Sequence, residues 1–343
     1  MKAFVTGSTG LLGSNLVNAL VAAGYEVKAL ARSREKAEQV LQHSQVEIVV
    51  GDMENISAFA PHMAGSDVLF HTAAYVREVF GPGNHWPKLE KINVQGTLEL
   101  LTQAERYGIK TAIHTSSTSV LGIEPNGAPA DESMLPDEYS RNDPYARSKL
   151  LAEQAIIDFL KTHRMSVMLI LPSGLFGPQD VGPSATGQAI LQMLEGKFPF
   201  IPPGGVSLVD ARDVATAMIN AAQRGRSGER YIVSNGYVTL EQLAQAVGKE
   251  SGVPVPSRHI PYAVLNLLAH AGELTSRITG AQPTISVNAV KALNRRHEVS
   301  AAKAVRELGV TFRTFEETIR DTINWFLANG YVHSTLQVQP TTA

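Results

Sequence analysis

Cysteine is absent from the 343 residues of this chain. Its absence excludes disulfide bonds, thiolate metal sites and cysteine nucleophiles, and nothing else indicates an oxidising compartment. We expect no metal site.

Long apolar runs are also missing. The longest, from Tyr262 to Ala271, falls well short of the ~20 residues that a membrane-spanning helix requires. Residues 1–6 lead directly into a glycine-rich turn and lack the apolar stretch and cleavage site of a signal peptide. The expected location is the cytoplasm, with no membrane partner.

The chain also lacks an excess of charge of one sign. Its formal net charge is -2, so no basic field attracts nucleic acid, and no nucleic-acid partner is expected. The short cluster Asn294-Arg295-Arg296-His297 is predicted to be a solvated helix end. What the chain does contain is 44% hydrophobic and 18% charged residues, which is typical of a globular protein with a large core.

The first half of the chain alternates short β-rich runs with helical segments. This order predicts an α/β fold of the Rossmann type, with a doubly wound parallel sheet. The predicted strands are 3–6, 27–31, 46–50, 68–71, 112–115 and 167–171. Beyond residue 173, glycine and proline become frequent around one apolar helix, and the rest is mostly helical. We predict a Rossmann domain over 1–173 to which 207–235 returns, a smaller substrate-binding and lid region over 174–206 and 236–330, and a tail over 331–343.

Three glycines, Gly7, Gly10 and Gly13, follow the first predicted strand and open the first helix. Glycine is needed where φ is positive, where backbone approaches phosphate and where a helix presses on a strand. The helix N-terminus then offers unpaired N–H groups and a positive dipole to a pyrophosphate. The pattern predicts a dinucleotide site, and the alternative is a glycine-rich turn without a ligand. The predicted contacts are Gly7, Ser8, Thr9, Gly10, Leu11, Leu12 and Gly13.

The end of the second predicted strand indicates which dinucleotide binds. NAD sites usually place an acid there, whereas an arginine accommodates the 2′-phosphate of NADP. This chain has Arg32-Ser33-Arg34, which favours NADP, with NAD as the alternative, unless the arginines form an ordinary exposed loop. Asp52 follows the third strand, where its carboxylate can either bind the adenine amino group or cap the next helix.

Asp143 and Pro144 predict a helix start, as N-cap and first helical residue. Tyr145 and Lys149 are then i and i+4 and share one helix face. A free tyrosine has a pKa of ~10, and a neighbouring ammonium lowers that pKa. The pair therefore predicts a tyrosine that exchanges a proton with a carbonyl or alcohol oxygen. The alternative is that Tyr145 and Lys149 form an ordinary surface pair. The Ser/Thr run 115–119 at the end of the fifth strand favours the catalytic interpretation, because a hydroxyl there stabilises a developing oxyanion.

Together these residues resemble the extended short-chain dehydrogenase/reductase family, and most closely its dihydroflavonol reductase-like and hydroxysteroid dehydrogenase-like branch. The resemblance covers the chain from Met1 to about Trp325. Besides the glycine turn it rests on Asp52, His71-Thr72-Ala73-Ala74, Asn93, Ser116-Ser117, Tyr145-x-x-x-Lys149, Pro172 and Asp210-x-x-Asp213-Val214.

The resemblance implies a role for each matched position. Tyr145 is the implied acid-base, Lys149 its pKa modifier and ribose anchor, and Ser117 the donor to the carbonyl oxygen. Asn93 is expected in the fourth helix, where it supports the lysine through a proton relay. Implied cofactor contacts outside the glycine turn are Arg32, Asp52, Met53, Thr72, Ala73, Ala74, Tyr145, Lys149, Pro172 and Ser173, and implied substrate contacts are Tyr75, Ser117, Thr118, Tyr145 and Phe176. The family also implies a homodimer through 86–107 and 144–163.

Two departures narrow the expected reaction. Sugar dehydratases of this family carry an acid directly after the catalytic Ser or Thr, where this chain has Thr118 and Ser119. Nucleotide-sugar epimerases recruit arginines to a diphosphate, but the segment from Gly174 to Val209 has only Lys197 as a basic residue.

We therefore expect NADPH-dependent reduction of an uncharged aldehyde or ketone. Nucleotide-sugar epimerisation, with Arg212 and Arg230 as diphosphate ligands, is the alternative, and a non-catalytic dinucleotide sensor is a third. The apolar residues of the lid segment are predicted to line the substrate cleft or to pack the lid itself: Leu175, Phe176, Ile190, Leu191, Met193, Leu194, Phe198, Phe200 and Ile201. Tyr75, Val76, Val79, Phe80 and Trp86 are expected across the cleft.

Overall fold

The computed structural model describes residues 1–41, 45–76, 83–256, 258–279 and 287–332, without the side chains of 277–279, 288 and 289. Its strands are β1 (Lys2–Thr6), β2 (Glu26–Ala31), β3 (Val46–Val50), β4 (Val68–His71), β5 (Thr111–Thr115), β6 (Ser166–Pro172), β7 (Gly174–Phe176), β8 (Gly205–Asp210), β9 (Arg230–Val233) and β10 (Tyr237–Thr239).

Seven of these strands form one parallel sheet in the order β3-β2-β1-β4-β5-β6-β9. The predicted doubly wound sheet is thereby confirmed. The strand order reverses between β1 and β4, and ligands of such sheets bind in the crevice at the carboxyl ends of the strands, at this reversal.

The first helices are α1 (Leu11–Ala22), α2 (Arg34–Val40), α3 (Ile56–Phe59), α4 (Trp86–Leu89), α5 (Gly96–Arg106), α6 (Glu138–Asn142) and α7 (Pro144–Leu160). They are followed by α8 (Ala185–Leu194), α9 (Ala211–Arg224), α10 (Leu240–Ser251), α11 (Tyr262–Thr279), α12 (Val287–Asn294), α13 (Ala302–Leu308) and α14 (Phe315–Ala328). A π-helical turn, Glu90–Gln95, joins α4 to α5, and 3₁₀ turns span Ala60–Met63 and Thr118–Val120. Within the described ranges no helix is both long and apolar enough to cross a membrane.

Both faces of the large sheet are covered by helices, and the side chains of β1 show how. Ala3 and Val5 point into the apolar cluster that includes α1 and α9, whereas Phe4 points into the cluster on the opposite face, with α5 and α7. Because side chains alternate along a strand and both faces are buried, a continuous apolar run results. This is why the strands could be recognised as short apolar runs.

A small second sheet, in the order β10-β8-β7, lies beside the first. The segment 207–235 was predicted to return to the large sheet. Its strand β9 pairs with β6 and its helix α9 packs on α1, but β8 is the central strand of the small sheet. The helices α8, α10 and α14 pack together around a third apolar cluster. The division into two domains itself stays a prediction.

Candidate active site

The glycine turn has the geometry that its sequence predicts at two of its three glycines. Gly7 has a φ of 69°, and a Cβ there would lie 2.7 Å from the backbone nitrogen of Ala73. A Cβ on Gly13 would lie 2.7 Å from the carbonyl carbon of Gly7 and 2.9 Å from the Cα of Ser8. These distances are too short for real side chains, so packing alone requires both glycines. Gly7 lets the turn pass close to Ala73 after β4, and Gly13 brings α1 directly against the turn that follows β1.

Gly10 differs from the other two glycines. It is exposed, and a Cβ there would meet only the carbonyl oxygen of Gly7, at an ordinary 3.4 Å. Gly10 is also the N-cap residue of α1, and no side chain caps this helix among the described residues. The first N–H groups of α1 therefore face a cradle that the protein's own side chains leave open. This arrangement fits a pyrophosphate.

The side chains of the turn serve the fold. The buried Ser8 donates its hydroxyl to the carbonyl oxygen of Leu30 at 2.8 Å, and Leu12 is a core residue. Thr9 and Leu11 are half-buried. Any contact of this turn with phosphate would therefore come chiefly from backbone N–H groups.

The two arginines of the loop after β2 differ in their contacts. Arg32 is exposed and has no ion pair or hydrogen bond among the described contacts, whereas Arg34 lies 4.0 Å from Glu38 and donates to the carbonyl oxygen of Ile48 at 3.3 Å. Ser33 caps α2 by accepting from the backbone N–H of Lys36. Of the two cations, Arg32 is the more available for a phosphate at the end of β2.

Asp52 and Met53 follow β3. The carboxylate of Asp52 accepts from the backbone N–H of Glu54 at 2.9 Å, and Asn55, not Asp52, is the N-cap of α3. Asp52 is half-buried, while Met53 is 9% exposed and belongs to the apolar cluster under α5. Asp52 thus shapes a turn at the edge of the crevice, and its contact with a cofactor stays a prediction.

The start of the Tyr-Lys helix is confirmed. Asp143 is the N-cap of α7, its side chain accepts from the backbone N–H of Ala146 at 2.9 Å, and Pro144 is the first helical residue. Lys149 is 3% exposed, and its Nζ donates to the carbonyl oxygen of Thr115 at 2.8 Å. The phenol of Tyr145 forms a hydrogen bond with Ser117. The structure therefore brings Ser117, Tyr145 and Lys149 together at the carboxyl end of β5.

Burial dominates the acidity of Tyr145 and Lys149. Burial raises the pKa of Tyr145 to about 12, and the hydrogen bond with Ser117 offsets only part of that rise. Burial also lowers the pKa of Lys149 to about 8, against the opposing effect of Glu153. Lys149 is not among the causes of the Tyr145 shift, since loss of hydration of the phenolate dominates it and the ammonium donates to the carbonyl oxygen of Thr115. The expected lowering of the Tyr145 pKa by Lys149 stays a prediction.

Asn93 lies in the π-helical turn and not in a regular helix. Its side-chain oxygen accepts from the backbone N–H of Tyr75 at 2.8 Å, and its Nδ2 donates to the carbonyl oxygen of Tyr75 and to Ser148 Oγ, both at 3.0 Å. These bonds tie the segment after β4 to the Tyr-Lys helix. None of the described hydrogen bonds of Asn93 goes to Lys149, so the expected proton relay stays a prediction.

Three strand ends frame the inner part of the crevice. Thr72 donates its hydroxyl to the carbonyl oxygen of Thr6 at 2.6 Å, which fixes the half-buried Ala73 and Ala74 beside the glycine turn. At the ends of β5 and β6, the hydroxyls of Thr115 and Ser173 are buried without a partner among the described residues. Ser173 follows Pro172, the last residue of β6. The ends of β4, β5 and β6 thus lie together at the carboxyl edge of the sheet, where the crevice is expected.

The substrate side of the crevice is defined less completely. The hydroxyl of Tyr75 lies 2.8 Å from His85 Nδ1, and Lys88 lies over its ring. Thr118 is 6% exposed in the 3₁₀ turn after Ser117, and Trp86 stacks under the guanidinium of Arg147. Val79 and Phe80 lie outside the described residues.

The apolar side chains of the lid segment pack into the third apolar cluster, with α10 and α14. Phe176 is 2% exposed and belongs to the third apolar cluster, as do four more of the residues proposed to line the cleft, Ile190, Met193, Leu194 and Ile201. Leu191 and Phe198 pack at the edge of that cluster. Packing of the lid, the alternative that the sequence left open, therefore explains most of these residues. A contact between Phe176 and substrate stays a prediction.

The sequence-based predictions did not include one buried charged residue, Glu153, and placed another, Arg295, in solvent. Glu153 lies one turn beyond Lys149 on α7 and is 3% exposed. Its position could have been noticed in the sequence, because it continues the four-residue spacing of Tyr145 and Lys149. The prediction that Arg295 is solvated is wrong. Its side chain is 9% exposed, lies 2.6 Å from Asp137 and stacks on Tyr139.

Comparisons with known proteins agree with this architecture. The chain matches the NAD dependent epimerase/dehydratase family over residues 3–234. It is 32% identical to a protein named "Putative dihydroflavonol 4-reductase" from Synechocystis sp., over 96% of this chain and 95% of that one. It is 31% identical to "Sterol demethylase protein B" from Methylococcus capsulatus, over 97% of this chain and all of that one.

Among solved structures, the crystal structure of gox2253 superposes with a TM-score of 0.82 at 29% identity, covering 96% of this chain and 99% of that one. The glycine turn, the Tyr-Lys helix and these similarities lead to one conclusion: the chain belongs to the NAD-dependent epimerase/dehydratase family of extended short-chain dehydrogenases/reductases.

Proposed function

We propose that this protein reduces an uncharged aldehyde or ketone with NADPH. When bound, the nicotinamide cofactor supplies a hydride to the carbonyl carbon. The protein's own part is to hold the carbonyl oxygen with the Ser117 hydroxyl and to protonate that oxygen from Tyr145. Lys149 then stabilises the phenolate that remains.

The high pKa of Tyr145 suits the reductive direction. A phenol whose pKa is raised to about 12 keeps its proton at neutral pH and is ready to donate it. An alkoxide is a stronger base than a phenolate, so the transfer is favourable once hydride has arrived. Lys149, with a pKa lowered to about 8, remains mostly an ammonium at pH 7. Both groups are therefore in the protonation states that reduction requires.

Reduction is favoured over nucleotide-sugar epimerisation because both arginines that could bind a diphosphate, Arg212 and Arg230, are already paired with carboxylates. Arg212 holds Asp210 through two nitrogens and also lies 2.7 Å from Asp321. Arg230 is paired with Glu153 and donates to the carbonyl oxygen of Glu132. A diphosphate would have to displace these carboxylates, which would leave buried anions unpaired.

The relatives support a lipophilic carbonyl substrate, since two of them are named for dihydroflavonol reduction and sterol demethylation. The proposed cofactor rests on Arg32, which is exposed at the end of β2 where NAD sites usually place an acid. A non-catalytic sensor is disfavoured because the chain retains Ser117, Tyr145 and Lys149 together.

The test is a spectrophotometric screen of aldehydes and ketones of graded size against NADPH and NADH. We expect net NADPH oxidation with apolar carbonyl compounds. An epimerase would instead retain tightly bound NAD and interconvert a nucleotide sugar without net oxidation of added cofactor. Absence of turnover with every carbonyl compound, together with such interconversion, would replace the proposal by the alternative.

Cofactor choice has a matched control in the same loop. Arg32→Asp should weaken NADPH binding by about 10- to 100-fold and change NADH binding little, because it removes a cation from the 2′-phosphate. Arg34→Asp, which changes charge equally but removes an arginine already engaged with Glu38, should have a much smaller effect. Equal losses for NADPH and NADH in Arg32→Asp would overturn the assignment.

We also propose that the protein is a cytoplasmic homodimer. The helices expected at the interface, α5 and α7, carry exposed apolar side chains: Leu98 is 39%, Leu151 36% and Ile157 42% exposed. Burial of such side chains between two copies would favour association. Sedimentation of the wild type and of Ile157→Glu tests this, with a shift to monomer expected for the variant.

A further inference from the structure

Behind the proposed catalytic residues lies a buried carboxylate that the proposed mechanism does not use. Glu153 follows Tyr145 and Lys149 at the same four-residue spacing on α7 and is 3% exposed. Ser116, the residue before the proposed carbonyl donor, gives its hydroxyl to Glu153 Oε1 at 2.5 Å. Arg230, on β9, places Nη1 3.4 Å from Oε2. Both oxygens of the carboxylate are thus engaged, each by a different element.

We infer that Glu153 is a positioning residue: its carboxylate fixes Ser116 at the end of β5 and is the counter-ion of the buried Lys149 ammonium. This inference rests on the proposed function for the meaning of Lys149, although its charges and contacts do not depend on the substrate.

The charges around Lys149 support the second half of the inference. The side chains that interact with it electrostatically are His71 on β4, His114 on β5 and Glu153 on its own helix. Both histidines have pKa values lowered by burial and are neutral at physiological pH. Burial raises the pKa of Glu153, but the hydrogen bonds from Ser116 and Arg230 oppose that rise and favour the charged form. Glu153 and Lys149 are both buried one turn apart on α7, so this carboxylate supplies the negative charge among these groups. A buried ammonium without a counter-ion would lose its proton.

The contacts of Arg230 support the first half. This arginine also donates to the carbonyl oxygen of Glu132, and its own carbonyl accepts from Lys303 Nζ at 2.7 Å. The carboxylate of Glu153 is therefore tied to the last strand of the large sheet, and through Ser116 that strand holds the loop on which Ser117 lies. The same group that balances the charge of Lys149 thus also limits movement of the Ser117 hydroxyl.

The test is the titration of Lys149 followed by NMR of protein labelled with ¹³C-lysine, with the resonance assigned by Lys149→Met. In Glu153→Gln, which keeps the size and polarity of the side chain but removes its charge, the Lys149 midpoint should fall by about one to two pH units. Glu153→Asp, which keeps the charge, should shift it by less than half as much. The matched control is Asp213→Asn, which removes a buried carboxylate that is paired with Arg313 and is not among the groups that shift the pKa of Lys149, and it should leave the midpoint unchanged.

Turnover gives a second readout. Near pH 8, where Lys149 in the wild type is about half protonated, Glu153→Gln should be at least about fivefold slower, with a smaller deficit at pH 6. A merely structural role would lower turnover equally at both pH values.

If Glu153→Gln does not fold because it leaves Arg230 unpaired, Glu153→Gln with Arg230→Gln removes both charges and should still lower the Lys149 midpoint. An unchanged midpoint in the folded variants would overturn the inference, whatever the turnover. Because the titration needs neither cofactor nor substrate, failure of the proposed reaction would show separately, as a wild type that oxidises no NADPH.

Discussion

Replacing Gly10 by alanine adds one methyl group to the turn at the only glycine of the three that has room for it. The added Cβ would meet nothing closer than the carbonyl oxygen of Gly7 at 3.4 Å, an ordinary contact. Alanine is a poorer N-cap than glycine, so the free energy of unfolding should fall by no more than about 1 kcal/mol. The folded protein should therefore tolerate Gly10→Ala.

Cofactor binding should not tolerate it. The methyl group would occupy the open cradle in front of the first N–H groups of α1 and hold a pyrophosphate away from them. Losing one hydrogen bond to a charged acceptor costs about 1.5–3 kcal/mol, so NADPH should bind about 10- to 100-fold more weakly. Fluorescence titration measures the Kd, and thermal unfolding without cofactor measures stability.

Gly13→Ala provides the contrast. Its Cβ would lie 2.7 Å from the Gly7 carbonyl carbon, so the backbone must shift and both stability and binding should fall, the former by about 1–3 kcal/mol or more. If Gly10→Ala bound NADPH as tightly as the wild type, a pyrophosphate could not lie in this cradle, and the assignment of the turn would be refuted.

Two further predictions concern the polar groups of the crevice. Ser117→Ala removes the hydroxyl proposed to hold the carbonyl oxygen, so kcat should fall by about 10²- to 10³-fold with an unchanged Kd for NADPH, and steady-state kinetics showing near-normal kcat would contradict this. His71 is buried with a pKa lowered to about 3, so below pH 6.5 the unfolded chain binds a proton that the folded protein does not. Its contribution to the free energy of unfolding should therefore be lost progressively from pH 6.5 towards pH 3, by about 2 kcal/mol at pH 5, and urea unfolding at pH 7 and 5 should show a smaller loss in His71→Asn than in the wild type.

Local signals in the sequence predicted the fold well. Buried parallel strands read as short apolar runs, and the helix that carries Tyr145 begins where Asp143 and Pro144 place it, because capping depends on neighbouring residues. The glycine turn was predictable from its place between a strand and a helix, although only the steric demand on Gly13 arises within that unit. The demand on Gly7 comes from Ala73, which follows β4.

Long-range pairing could not be predicted in the same way. Arg212 and Arg230 were open candidates for binding a diphosphate. Arg212 has one partner two residues away, Asp210, but its other partner, Asp321, and the partner of Arg230, Glu153, are 109 and 77 residues away in the sequence. Arg295 was expected in solvent but stacks on Tyr139, 156 positions earlier by residue number.

The raised pKa of Tyr145 could not be predicted for a related reason. The i, i+4 spacing correctly placed Lys149 on the same helix face, but the free energy of removing a phenolate from water depends on everything packed around it. Neither the environment of the phenol nor the target of the ammonium, the carbonyl oxygen of Thr115, follows from the spacing alone.

The central claim is that Tyr145 gives the proton in carbonyl reduction, and Tyr145→Phe tests it most directly. With the best substrate from the screen, single-turnover oxidation of NADPH by Tyr145→Phe should be slower by about 10²- to 10⁴-fold, while the Kd for NADPH stays within about twofold of the wild type. Near-normal turnover in Tyr145→Phe, with cofactor binding intact, would contradict the proposed chemistry.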